Sequence, residues 1–173
     1  LKNSAEKMML KKIIQKFRVK RLLNEAAICF QKNQFQEAEH LYQKILNRDS
    51  ENYEANLWIG SVYSESKKYV DATNYLNKAI NLKPDDHRAY FNLAFLQANL
   101  SRHVDAIELF EKASKCKSSN SKKAEIYYNI GLLYWQIGKY QEAIDFANKA
   151  LSIFPADQRP DKLKMLAYQR LKN

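Results

Sequence analysis

Apolar side chains recur at i, i+4 and i+7 in four separate stretches. They are Ala38, Tyr42 and Ile45; Ala72, Leu76 and Ala79; Ala106, Phe110 and Ala113; and Ala143, Ala147 and Ala150. That spacing lays one stripe along a helix. Each stripe opens after a short polar turn, mostly followed by an aromatic and then an acid, in Gln34–Ala38, Lys68–Ala72, Arg102–Ala106 and Lys139–Ala143. The leading alanines are spaced 34, 34 and 37 residues apart. Twelve residues before each stands a small residue, Ala26, Gly60, Ala94 or Gly131, inside a further helical pattern. Gly costs about 1 kcal/mol relative to Ala in a helix, so its presence predicts a neighbouring helix too close to admit a Cβ. The alanines of the second helix are the expected facing surface. The repeated unit is therefore a pair of antiparallel helices with a tight crossing.

The junctions between units carry stop and start signals. Pro84 precedes Asp85-Asp86 and Pro155 precedes Ala156-Asp157, so that Pro ends one helix and Asp caps the next. The other junctions, Asp49–Asn52 and Ser118–Ser121, are polar cap-formers without Pro. The three extra residues of the last period, Ser121 to Lys123, are expected to lengthen that loop. Residues 158–173 read as one more helix, with Leu163, Leu166, Ala167 and Leu171 as its stripe and Pro160 in its first turn. Three Gly and three Pro in 173 residues are too few for an all-β sandwich or barrel.

These residues resemble the tetratricopeptide repeat family, with its period of 34, small residue and Tyr in the first helix, and Ala, aromatic, Ala and Pro through the second. The second unit matches with Gly60, Tyr63, Tyr69, Ala72, Ala79 and Pro84. The fourth matches with Gly131, Tyr134, Gly138, Tyr140, Ala143, Ala150 and Pro155. The third departs at Gln97, His103 and Ser118, and the first at Cys29 and Ser50. The resemblance implies an all-α fold, a right-handed superhelix of antiparallel helical hairpins. Four repeats are expected at 19–52, 53–86, 87–120 and 124–157, preceded by a basic amphipathic helix over 1–18, either separate from or continuous with the first repeat helix, and closed by a capping helix over 158–173.

The resemblance also implies a function. First helices of such hairpins line a concave groove, where members of the family hold peptide ligands. First-helix positions off the packing stripe, Leu57 among them, project into it. The candidate partner-binding residues are Trp58, Phe91, Asn92, Phe95, Tyr128, Asn129 and Trp135. Aromatics offer contact area at small entropic cost, and an amide can both donate to and accept from a peptide backbone. The alternative is that these rings pack on one another and that Asn serves repeat geometry. The leading function is a protein–protein interaction scaffold or adaptor, as an assembly factor or complex subunit. The rivals are a substrate-recruiting arm of a larger enzyme and a membrane-associated repeat protein. The carboxylate clamp by which some family members hold chaperone tails is not expected, because Glu125 has the wrong charge in one of its slots.

Composition and charge refine this picture. Apolar residues make up 46% of the chain, enough for a core. Net charge is +10, but eight of the 29 basic residues lie within residues 1–21 against one acid, Glu6. The positive balance belongs to one helix, so no nucleic-acid partner is expected. In that helix Met8, Met9, Ile13, Ile14 and Phe17 are expected on one side, with Lys7, Lys11, Lys12, Lys16 and Lys20 largely on the other. The favoured reading is an extra helix whose apolar side covers the open end of the first hairpin. The alternatives are an anionic membrane surface and self-association. Cys29 and Cys116 form no metal or redox spacing, which favours the cytoplasm or another reducing compartment. His40, His87 and His103 come singly, and no nucleophile sits in a catalytic motif. Neither a metal, a cofactor nor catalytic activity is expected.

Overall fold

A computed structural model of the chain describes residues 2–172. Among the described residues there are nine helices and no strand beyond one isolated bridge, Asp86 to Lys117. The chain divides into two compact units, one up to Leu82 and one from Lys83.

The first unit holds α1 (Lys2–Gln31), α2 (Phe35–Leu46), α3 (Tyr53–Glu65) and α4 (Tyr69–Leu82). Within it α1 packs on α2, α2 on α3, and α3 on α4. The second unit holds α5 (His87–Asn99), α6 (His103–Lys115), α7 (Asn120–Gln136), α8 (Tyr140–Ile153) and α9 (Arg159–Leu171). Here each helix packs on the next, and α9 also touches α7. The stripes of the second helices are the core: Ala38, Tyr42, Ile45, Ala72, Leu76, Ala79, Ala106, Phe110, Ala113, Ala143, Ala147 and Ala150 are all buried.

The small residues of the first helices do set the crossing distance. A Cβ added at Gly60 would stand 2.8 Å from Leu76 Cγ, so the side chain it meets first is Leu76 and not Ala72. At Gly131 it would meet Leu163 Cδ2 of α9 at 3.0 Å and the Ala143 carbonyl oxygen at 3.2 Å. Gly131 thus admits the last helix as well as its hairpin partner.

One turn geometry closes all four first helices. The N–H groups of Gln34, Lys68, Arg102 and Lys139 donate to the carbonyls five residues back, Cys29, Tyr63, Gln97 and Tyr134, at 2.8–2.9 Å. Just before each, Asn33, Lys67, Ser101 and Gly138 donate to the carbonyl three residues back. This double bond pattern requires a left-handed residue at the turn, and φ is 58°, 60°, 58° and 79° at those four positions. Only the last is glycine. Lys67→Gly and Ser101→Gly are therefore expected to stabilise the protein by about 0.5–1 kcal/mol each, and Gly138→Ala to cost a similar amount. Urea denaturation midpoints at constant m check this.

Three expectations are corrected. Ser121–Lys123 do not lengthen a loop. They form the first turn of α7, because Ser119 accepts from Lys122 N at 3.2 Å as the cap and Lys122 pairs with Glu125 at 2.6 Å. In α9 Leu163 and Ala167 are buried, but Leu166 and Leu171 are about half exposed, so the stripe is narrower than expected. In α1 the apolar side chains Met9, Ile13, Ile14 and Phe17 do not cover the first hairpin; each is 42–69% exposed. Met8 does not share their side. It lines a shallow cleft with Lys11, Lys12, Asp49 and Asn52.

Candidate functional site

Phe91 and Phe95 lie one turn apart on α5, and their ring centroids are 4.9 Å apart, edge to face. Both rings also meet Phe110 of α6 edge-on, at 5.4 Å. Edge-to-face contact places the positive rim of one ring against the negative face of another. Phe110 is 1% exposed and Phe95 41%. The triad therefore runs from a buried foot to an exposed tip. Behind it lies a core of Ala94, Ala106, Ile107, Ala113, Ile126, Ile130 and Leu133.

The fourth helical hairpin reaches this cluster through Lys122. Its ammonium sits 4.7 Å from the centre of the Phe91 ring while holding Glu125. The three-residue extension of α7 is what puts a cation there. Further along α7, the Tyr128 ring lies under the Arg159 guanidinium at 4.9 Å. Arg159 is in turn held by Asp157 through Nε–Oδ1 at 2.9 Å and Nη2–Oδ2 at 2.7 Å. These hydrogen bonds hold the Asp157 carboxyl below its usual range and raise Arg159 above its own. Arg88 clamps Asp86, the cap of α5, in the same manner at 2.8 Å. Lys122, Arg88 and Arg159 thus each carry their own carboxylate.

The remaining candidates separate. Asn92 and Asn129 are both half-buried. The Asn129 Nδ2 is fully covered and has no hydrogen-bond partner within the protein. Trp135 belongs elsewhere: its ring packs on Ala143, Ile144 and Ala167, the contact of α8 with α9. Trp58 lies in the first unit, half-buried, 6.3 Å from the ring of Phe30. Leu57, projected into the groove from the sequence, is completely buried. Phe110, Lys122 and Arg159 were not singled out by sequence as site residues. Phe110 was legible only as a core stripe, Lys122 lies in a segment read as loop, and Arg159 lies at the start of the expected capping helix.

Comparisons with known proteins agree with this architecture. The chain is 28% identical over 139 residues to the Transcription factor tau 131 kDa subunit of Saccharomyces cerevisiae, covering 80% of the chain and 13% of that protein. It is 26% identical over 123 residues to the Protein O-mannosyl-transferase TMTC1 of Homo sapiens, covering 70% of the chain and 14% of that protein. It therefore spans only a small part of the length of these relatives. The crystal structure of MamA protein superposes with a TM-score of 0.75 at 27% identity, covering 89% of this chain and 82% of that one. Two family models, each described as tetratricopeptide repeat, match residues 30–94 and 85–156. The matches overlap and together take in every hairpin from the end of α1 to the end of α8, and on that ground the chain belongs to the tetratricopeptide repeat family.

Proposed function

We propose that the chain is a protein-interaction scaffold whose second unit holds a peptide or helix with an apolar anchor against Phe95. The exposed Phe95 ring, fixed by Phe91 and Phe110, carries this reading. A ring held by two others loses little entropy on binding, so most of its contact area contributes to affinity. Asn92 and Asn129 supply amides for the ligand backbone, and Tyr128 with Arg159 supplies a flat polar flank. Trp58 of the first unit and Trp135 remain candidate contacts of lesser weight, Trp135 because it already serves the packing of α9.

A place inside a larger assembly is favoured by the name of one relative, a subunit of a transcription factor. The second reading, a recruiting arm of an enzyme, is favoured by the transferase relative, of which this chain corresponds to 14%. In either case this chain contributes binding.

The experiment is selection of peptides from a displayed library on the whole chain, followed by titration of the selected peptides. Phe95→Ser is expected to weaken them at least tenfold, about 1.4 kcal/mol, with the melting temperature lowered by the lost ring contacts but the helical fold kept. Selected peptides that bind Phe95→Ser as tightly as the parent would place the site elsewhere.

A further inference from the structure

Helix α1 carries an apolar stripe that its own protein does not use. In its second half Val19, Leu22, Ala26 and Cys29 lie on one side, where Leu22 and Ala26 are buried and Val19 and Cys29 half-buried. At roughly 100° per residue, Met9, Leu10, Ile13, Ile14 and Phe17 occupy an arc of about 140° on the opposite side. All five are 42–69% exposed. The side of the first half that continues the packing face holds Met8, Lys11, Lys12 and Gln15, and it looks toward Asp49 and Asn52. The stripe is therefore turned away from the hairpin that α1 joins.

We infer that this half of α1 lies in the headgroup region of an anionic lipid bilayer, parallel to the surface. Three observations select that occupant. First, the stripe is edged by cations on both sides, Lys12 and Lys16 along one border and Lys7, Lys11 and Arg18 along the other, while Lys20 continues the stripe one turn beyond Phe17 and Glu6, the one acid of the segment, precedes it at its N-terminal end. Cations on both borders of an apolar ridge match a surface that is apolar below and negative above. The long Lys and Arg stems reach outward to phosphates while the ridge sinks. Second, a second copy of α1 would bring like charge against like along both borders, which opposes self-pairing. Third, the apolar arc is one side of the helix, and Lys7, Lys11, Lys12 and Lys16 lie outside it, the pattern of a helix that lies in the plane of a membrane surface.

The test is co-sedimentation of the whole chain with vesicles of phosphatidylcholine alone and of phosphatidylcholine with about a third phosphatidylserine. Binding is expected to the second and not the first, and to weaken with added salt. Ile13→Gln with Phe17→Gln, and separately Lys7→Glu with Lys16→Glu and Lys20→Glu, are each expected to reduce it at least about tenfold. These side chains are exposed, so helicity and melting are expected to hold. Peptide binding at Phe95 is also expected to hold, which keeps the two proposals separable. The inference is overturned by absence of binding to the anionic vesicles, by equal binding to both kinds, or by full binding of the Ile13→Gln, Phe17→Gln variant. A lipid-free dimer that this variant dissociates would overturn it too, in favour of a second copy.

Discussion

Replacing Phe110 by alanine is expected to destabilise the protein by about 3–5 kcal/mol. The ring is 1% exposed and lies in a cluster where Ala94, Ala106 and Ala113 stand beside Ile107, Ile126, Ile130 and Leu133. The alanines of the closely packed crossing cannot move in to fill the lost volume, so a cavity remains. The same change removes the foot of the aromatic triad, since Phe91 and Phe95 both rest on Phe110 at 5.4 Å. Peptide affinity should therefore fall although Phe110 is too deep to be touched. Phe110→Leu retains most of the volume and is expected to recover most of the stability, but not the edge-to-face contacts. Urea denaturation followed by circular dichroism gives the first quantity, and peptide titration of the Leu variant gives the second.

The second large effect is expected at Asn56. This side chain is completely buried on α3, and its Nδ2 donates to the carbonyls of Ser50 at 3.0 Å and Asn52 at 2.8 Å. It ties the loop after α2 to the start of the next hairpin, where Asn52 caps α3 by accepting from Ala55 N. Asn56→Asp keeps the shape and reverses the chemistry: a carboxylate oxygen would face two carbonyl oxygens with no donor. A buried charge without a partner costs about 3–5 kcal/mol. The cost is pH-dependent in a definite direction. Burial and the two carbonyls raise the folded-state pKa above the unfolded value of about 3.9. The variant's stability is thus preserved below the unfolded value, where the protonated acid can donate one hydrogen bond. It falls as pH rises through the window between the two pKa values and is flat above the folded one. Unfolding curves across the acid range for Asn56→Asp and the parent check this. A constant difference between them at all pH values would mean that the lost hydrogen bond, and not charge, sets the cost.

Much of the fold was readable because helix packing writes itself into spacing. Ala72, Leu76 and Ala79 could be assigned to the core from their intervals alone, as could Ala106, Phe110 and Ala113. The candidate site was less readable. Period and type identify positions off the packing stripe, and Phe91 and Phe95 were found in that manner. They do not say which neighbour such a position meets. Trp135 occupies a first-helix position off the stripe, yet its ring packs where α8 meets α9. Leu57 was projected outward by the same logic and is completely buried. Lys122 was hidden because three extra residues between hairpins look like loop. A cap at Ser119 and an ion pair one turn later were enough to wind them onto α7.

The sequence by itself determined the hairpins, their order and their family. A 34-residue period of small and apolar positions has few other ways to bury its stripe than a close crossing of antiparallel helices. Tertiary structure alone decided which apolar side chains stay in water. Residue spacing gives the angle of a side chain about its helix, but not the place where the neighbouring helix begins and ends. The first half of α1 has its apolar stripe and its continued packing face on opposite sides, and only the position of α2 and the loop after it shows which of the two is left uncovered.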